Sequence, residues 1–267
     1  MHRVIVNTGA YQRSSRNTWN EPAASVDAGT AAAPAGDGAS PGANSAAGRG
    51  MAGETGPDSL YAWYPRHRLE GEIIRDSALA VSGRMNWAMG GPGIFPELPP
   101  GMESRGGWPV NRDTAERDRR SIYVFVRRNT RYPMFEAFDM PDTHESCGRR
   151  NVTTSPVQAL TLLNSRLTHE WARGFAGRVV AMAGTARERQ IETAWRMAYG
   201  RRPDDGEMAL ALEFLERQAG IVAERLASGA EATLPDPYPA GAAPSAGAAL
   251  TDLCHALLNS NEFVYRN

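Results

Sequence analysis

The chain contains no lysine, so all 29 of its basic side chains are arginines, and 30 acidic side chains balance them. The resulting net charge of -1, with no sustained basic patch, argues against a nucleic-acid-binding protein, because such proteins neutralise phosphates with surplus positive charge. The absence of lysine also excludes a P-loop, whose phosphate contacts need one. In a chain rich in Ala and Gly, the missing lysine indicates a GC-rich genome rather than a special use of guanidinium groups.

Cysteine is equally scarce. Cys147 and Cys254 are the only two, and neither belongs to a Cys-x-x-Cys pair or to a haem-attachment motif. The sequence therefore predicts no structural metal site and no covalently attached haem in this chain. It favours two buried thiols, with one disulfide as the alternative.

Long apolar runs and recognisable catalytic motifs are also missing. No run approaches the roughly 18 to 20 apolar residues that a membrane span needs, so no membrane span is expected. Residues 1–15 show neither the charged-then-apolar layout nor the cleavage site of a signal peptide. The chain has no Gly-x-Ser-x-Gly elbow, and no second histidine completes a zinc-protease motif. These absences leave the activity open.

Composition divides the chain into segments. The stretch 21–59 consists mainly of small and polar residues and is predicted to be a disordered low-complexity insertion. A second stretch, 228–247, is rich in Pro, Ala and Gly and is predicted to be a linker. The remaining parts are predicted to be the truncated start of a domain at 1–20, a main helical domain at 60–227, and a C-terminal helix within 248–267 that packs back on the domain.

Apolar residues at three-four spacing predict a mainly α fold: an irregular helical bundle with long ordered loops and one short strand or hairpin at most. One helix is expected to end at Gly83, and another at Gly200. Ser155 begins a helix-start signal, with a proline at the first helical position and a glutamine reaching back from the third. The helix that starts there is predicted to continue without interruption to Val179.

Four more segments complete this prediction. An amphipathic helix is expected after the acidic residues 204–207, and a last helix is expected over about 248–259. The segment 122–126 is β-branched and aromatic, which favours a short strand, with a buried helical turn as the alternative. The Gly- and Pro-rich segment 87–110 is predicted to be a long ordered loop.

The densest group of polar side chains lies in the segment 138–151, between the strand-like segment and the capped helix. Loops on a rigid scaffold commonly carry binding and catalytic groups. Asp142, His144 and Glu145 are the candidate ligand-facing residues, since carboxylate oxygens suit a hard cation. The other histidines considered, His67 and His255 among them, are isolated and are expected to be surface or packing residues.

The alternative for the same segment is a structural cluster of Asp139, Arg149 and Arg150. In that interpretation the aspartates form turns around Pro141 and the arginines neutralise the carboxylates. The structural interpretation is favoured, because closely spaced carboxylates repel one another unless a cation or an arginine neutralises them.

The order of several motifs resembles a known family. They are Arg119–Arg128, Phe138–Asp142, Thr153–Leu160, Gly200–Pro203 and Leu257–Tyr265, and shorter blocks near 2–6, 11–15 and 66–70 precede them. Together they resemble the planctomycete domain of unknown function, of the PSD type, that is found C-terminally in multidomain proteins with planctomycete-type cytochrome c domains. The chain resembles the C-terminal portion of that domain.

This resemblance implies a function class and a setting. It implies an accessory or binding module that works beside a cytochrome-bearing or upstream partner domain in an exported or periplasmic parent protein. Haem would belong only to linked or neighbouring domains, so no cofactor is expected in this chain. The family has no established catalytic residues to carry over. Two alternatives stay open: a hydrolase-like or metal-assisted enzyme with its site at 138–151, and a degenerate fragment.

Overall fold

The computed structural model describes residues 66–99, 107–128 and 130–266. The predicted domain start at 1–20 and the predicted insertion at 21–59 lie outside the described residues. Within the described part of the chain, nine α-helices and one pair of two-residue strands form the regular structure. In chain order these elements are β1 (His67–Arg68), α1 (Gly71–Ser82), α2 (Thr114–Arg117), a 3-10 turn (Ser121–Tyr123), α3 (Pro133–Ala137), α4 (Pro156–Asn164), α5 (Arg166–Ala183), α6 (Arg187–Tyr199), α7 (Asp205–Ala227), α8 (Pro244–Leu258), α9 (Asn261–Val264) and β2 (Tyr265–Arg266).

Helix α5 is the centre of the bundle. It packs against α1, α6 and α8, and α8 also packs against α7. Phe175 and Val179 of α5 are fully buried, as is Ile191 of α6, and Leu250 and Leu258 of α8 are almost so. The apolar stripes predicted from the sequence therefore meet around α5, and the mainly α prediction is confirmed.

The helix ends at glycines are also confirmed. Gly83 and Gly200 follow α1 and α6 with φ angles of 77° and 73°, the left-handed conformation that glycine adopts at little cost. At the other end, Asp204 accepts a hydrogen bond from the Glu207 amide and starts α7 where the acidic segment predicted it.

The prediction of one uninterrupted helix from Ser155 to Val179 is wrong. The chain forms two helices, α4 and α5, because Ser165 adopts an extended conformation (φ −71°, ψ 130°) between them. Asn164 and Ser165 are residue types that favour helix boundaries, since their side chains compete for backbone hydrogen bonds. Leu163 was expected in the buried stripe and is instead 50% exposed.

The strand predicted at 122–126 is also wrong, apart from a single bridge between Val124 and Ile94. Ser121–Tyr123 forms a 3-10 turn, and Ile122 is exposed at its surface. The two strands instead join distant parts of the chain: β1 and β2 are antiparallel, with His67 opposite Arg266. Strands this short leave no alternating pattern for the sequence to reveal.

The segment predicted to be a linker, 228–247, packs on the bundle over part of its length. Pro235 is buried, and the Asp236 amide donates a hydrogen bond to the Arg173 carbonyl of α5. Gly177 makes this approach possible, because a Cβ there would lie 2.2 Å from the Asp236 carbonyl oxygen. The last helix begins at Pro244, four residues before the predicted start, since a proline suits the first turn of a helix.

Candidate functional site

A cleft of about 530 Å³ lies beside the α4–α5 break. Its walls come from the loop before residue 100, from α3 and from both helices at the break. The lining side chains are Glu97, Leu98, Pro99, Val110, Tyr132, Pro133, Met134, Leu160, Thr161, Asn164, Ser165, Arg166 and Leu167. We call this opening the α4–α5 cleft.

The break at Ser165 creates this geometry. Because the chain turns there, Leu160 and Thr161 from the end of α4 lie on the same cleft as Arg166 from the start of α5. Ser165 precedes the first turn of α5 and supplies no side-chain cap, and that turn contains no acidic residue. The positive end of an 18-residue helix therefore lies at the wall of the cleft.

The floor of the cleft is rigid. Tyr132 is only 3% exposed and stacks on Trp108, with ring centroids 6.3 Å apart. Its other neighbour is Phe135, which it meets edge-on at 5.0 Å. Trp108 is held in turn by its indole N–H, which donates to the Pro96 carbonyl at 2.8 Å. Burial raises the pKa of Tyr132, so its hydroxyl stays neutral at physiological pH.

A buried arginine supports this floor from behind. Arg75 of α1 is 2% exposed and donates hydrogen bonds to the carbonyls of Arg117 and Arg119 and to the Ser121 hydroxyl. These bonds fix the segment around the 3-10 turn, where the Arg119–Arg128 motif lies. The start of the motif, Arg119 and Ser121, thus belongs to a structural network, whereas Ile122 and residues 125–128 are exposed.

A second group of paired charges lies beside the hydrogen bonds of Arg75. Arg84 donates to Asp118 and to Glu170, each at 3.0 Å. Burial raises the pKa of Asp118, although Arg84 acts to lower it. At the cleft wall Glu97 pairs with Arg117, and Arg166 pairs with Glu170 at 2.9 Å.

The lining of the cleft is chemically mixed. The cleft combines apolar side chains with three hydroxyls, an amide, a guanidinium group and the Glu97 carboxylate, and the described lining residues include no histidine or cysteine. Such a mixture of apolar and polar groups is typical of small-molecule binding sites.

In the 138–151 segment, Asp139 occupies the position of a structural residue. Its carboxylate pairs with Arg68 and accepts hydrogen bonds from the amide and the hydroxyl of Thr153, both at 2.8 Å. Although burial acts to raise it, the pKa of Asp139 is lowered by these Thr153 hydrogen bonds and by Arg68. The residue also adopts a left-handed φ of 62°. It therefore ties β1 to the segment that precedes α4.

The partners expected for the two arginines of this segment need correction. Arg150 pairs with Glu70 and Glu72, both at 3.0 Å, instead of with the carboxylates of its own segment. Arg149 is exposed, and its carbonyl accepts a contact from the Cys147 thiol at 3.2 Å. Arg68 neutralises Asp139 instead. Because Arg68 is distant from Asp139 in the sequence, no local pattern predicted this pair.

The candidate ligand-facing residues of the same segment lie at the surface. Asp142 accepts a hydrogen bond from the His144 amide at 3.1 Å, which is the turn expected after Pro141, and His144 and Glu145 are exposed. Nowhere in the described ranges do three or more His, Cys, Asp or Glu side chains gather as a metal site would require. A ligand-facing role for Asp142, His144 and Glu145 stays a prediction.

The cysteines and histidines differ in part from their predicted settings. Both cysteines are free, but only Cys254 is buried, whereas Cys147 is exposed. Burial raises the pKa of the Cys254 thiol.

His255 is not isolated: it stacks on His169 with ring centroids 4.2 Å apart. Burial and the neighbouring His169 lower the pKa of His255, so His255 favours the neutral form.

The Gly200–Pro203 motif supplies an ion-pair clamp. Arg201 donates to both oxygens of Glu207 and of Glu262, at 2.6 to 2.7 Å, and so joins the start of α7 to α9. Hydrogen bonding from Arg201 lowers the pKa of Glu207 to about 2. The clamp thus connects two of the blocks on which the family resemblance depends.

This clamp predicts a dependence of stability on pH. A carboxyl whose pKa is lowered on folding stabilises the fold above its unfolded pKa, near 4.3, and loses that contribution as the pH falls through its folded value. Glu207→Gln should therefore cost about 1 kcal/mol of unfolding free energy at pH 7, because the clamp is only partly buried, and much less at pH 2.5. Urea unfolding at both pH values measures this. Glu216→Gln, at an exposed position of α7, is the matched control, and an equal loss in both variants would show that the clamp contributes nothing.

The described residues thus define a helical domain with a rigid, mixed apolar and polar cleft. The family model PSD1, described as "Protein of unknown function (DUF1553)", matches residues 45–215, well over half of the chain. The chain belongs to this family. The match ends within α7, so the Leu257–Tyr265 motif lies outside it. No curated protein and no solved structure gives a significant match.

The membrane prediction can be tested on the helices. In residues 66–266, as far as they are described, no helix combines the length and the apolar character that crossing a bilayer requires.

Proposed function

We propose that this domain is a binding module and that the α4–α5 cleft is its ligand site. The observation that carries the proposal is the cleft itself, about 530 Å³ of space with a mixed lining. This volume lies within the range of about 300 to 1,000 Å³ that small-molecule sites occupy. The ligand is a small molecule or peptide segment with an apolar body and a hydrogen-bonding or anionic group.

The charge distribution supports that ligand class. Leu98, Val110 and Met134 supply apolar contact in the cleft. Arg166 lines it together with the uncapped start of α5, and the two carboxylates close to this wall are already paired, Glu97 with Arg117 and Glu170 with Arg166. Helix starts and guanidinium groups both favour anions, so an acidic group would be placed at this wall.

The setting implied by the family resemblance completes the proposal. The module works as an accessory domain beside a cytochrome-bearing or upstream partner domain, in an exported or periplasmic parent protein. Any haem belongs to that partner. The resemblance to the PSD-type domain supports this setting.

The test uses two leucines of the same helix. Leu160 lines the cleft and Leu163 does not, and their exposed fractions are nearly equal at 53% and 50%. Anilinonaphthalene sulfonate, which joins an apolar body to an anionic group, is the probe. Leu160→Gln should weaken probe binding about ten-fold, or about 1.4 kcal/mol, through lost apolar contact and added polarity. Leu163→Gln should leave the affinity unchanged, and fluorescence titration measures both.

The same titration can reject the proposal. If the probe fails to bind the folded protein, or if both leucine variants lose affinity equally, the cleft is not the binding site. Far-UV circular dichroism of each variant confirms that the helices are retained, so that a loss of affinity is a property of the cleft.

A further inference from the structure

A second cavity, of about 270 Å³, lies where α5, α6, α7 and α8 meet the loop before α8. We call it the α8 cavity. Its inner wall is formed by Val180, Leu215 and Leu250, and the latter two are only 4% and 2% exposed. The space is open to solvent, because Arg187, Ala243 and Ala246 at its rim are exposed, so a ligand can reach the buried leucines from outside.

Small side chains keep the α8 cavity open. Ala242, Ala243, Ala246 and Gly247 follow one another along the loop and the start of α8, and none of them can fill the space. Tyr238 packs directly on Gly247, where a Cβ would lie 2.5 Å from the ring, and its hydroxyl donates to the Ala243 carbonyl at 2.7 Å. The outer wall is thus fixed at one end by the aromatic ring.

The same wall is anchored to α5. The Asp236 amide donates to the Arg173 carbonyl at 3.0 Å, and the Arg173 side chain donates to the Leu234 carbonyl at 2.9 Å. Gly177 admits the backbone of Asp236 at close range. Because the loop is held on both sides of the cavity, the wall cannot collapse inward without breaking these contacts.

The rim of the α8 cavity carries one charged side chain among the described lining residues. This is Arg187, which is exposed, is the first residue of α6 and has no ion-pair partner among the described residues. The first turn of α6 also lacks a side-chain cap, since Ala186 precedes it. An apolar interior with one unpaired guanidinium at its mouth is complementary to a molecule with an apolar tail and one negative group.

We propose that the α8 cavity binds a small amphiphilic carboxylate, of the medium-chain fatty-acid class. The apolar tail enters between Leu215 and Leu250, and the carboxylate pairs with Arg187 at the mouth. This site is separate from the α4–α5 cleft, and none of its lining residues is shared with that cleft.

Sodium octanoate is the probe, and isothermal titration calorimetry of the full chain is the measurement. Ala246→Phe fills the cavity and should weaken octanoate binding at least about ten-fold. Ala256→Phe is the matched control, because Ala256 is an exposed alanine of the same helix outside the cavity. Arg187→Gln should weaken binding about five-fold, whereas Arg189→Gln, at an exposed position of the same helix, should not.

Two comparisons make the proposal falsifiable. Octan-1-ol should bind more weakly than octanoate to the unaltered protein, and Arg187→Gln should remove most of that difference. Absence of octanoate binding, equal affinity for the alcohol, or unchanged binding by Ala246→Phe would each overturn the proposal. Because octanoate also fits the ligand class of the α4–α5 cleft, the two sites are separated by their variants. Octanoate binding that Leu160→Gln weakens and Ala246→Phe leaves unchanged would place the probe in the α4–α5 cleft and overturn this proposal alone.

Discussion

Replacing Arg75 by methionine should lower the free energy of unfolding by about 3 to 5 kcal/mol. The side chain is 2% exposed and donates to two backbone carbonyls and one hydroxyl. Methionine fills much of the same volume but donates no hydrogen bond, so the carbonyls of Arg117 and Arg119 would remain buried without a partner. The cost of such unsatisfied groups adds to the loss of charge-assisted hydrogen bonds.

Urea unfolding followed by circular dichroism measures this effect. Arg189→Met is the control, because Arg189 is exposed on α6 and its replacement should change stability by no more than about 0.5 kcal/mol. A loss below about 1 kcal/mol for Arg75→Met would mean that water satisfies the two carbonyls, and that the network does not hold the floor of the α4–α5 cleft.

Truncating Phe175 to alanine should also cost about 3 to 5 kcal/mol, since it removes a large side chain from the centre of the bundle. Phe175 is fully buried in α5, the helix against which α1, α6 and α8 pack. Neighbouring helices can close the resulting cavity only in part, because each is held by its own contacts.

The thermal unfolding midpoint and the urea midpoint should both fall for Phe175→Ala. Met182→Ala provides the comparison, because Met182 belongs to the same helix but is 66% exposed. Similar destabilisation by both variants would show that helix propensity, rather than packing on α5, controls the stability of the bundle. It would also show that packing around Phe175 does not form the core of the bundle.

Local signals in the sequence predicted most of the helices. Apolar spacing, terminal glycines and capping residues act within a few positions of one another, so the ends of α1 and α6 and the start of α7 could be read directly. The fold class followed from the same signals. The break at Ser165 was harder to predict. The apolar spacing continues from α4 into α5, although the helical conformation of the backbone is interrupted at Ser165.

The contacts that hold the floor of the cleft and the 138–151 segment in place are long-range. Arg75 donates to carbonyls that are 42 and 44 residues away in the sequence. Asp139 pairs with Arg68, and 71 positions separate these two residues. Composition and spacing carry no information on such pairs. The sequence therefore drew attention to the dense polar segment 138–151, whereas the cleft is lined by ordinary residues such as Leu160 and Thr161. The resemblance to the PSD-type family identified the family of the domain but did not indicate which residues form a functional site.

The central claim, that this domain binds ligands in the α4–α5 cleft, is tested most directly by a crystal structure of the protein soaked with anilinonaphthalene sulfonate. The account predicts electron density for the probe between Met134, Val110 and Leu160, with the sulfonate beside Arg166. Density in this cleft should disappear in crystals of Leu160→Gln and persist in those of Leu163→Gln. Probe density elsewhere on the domain, with an empty cleft, would contradict the account.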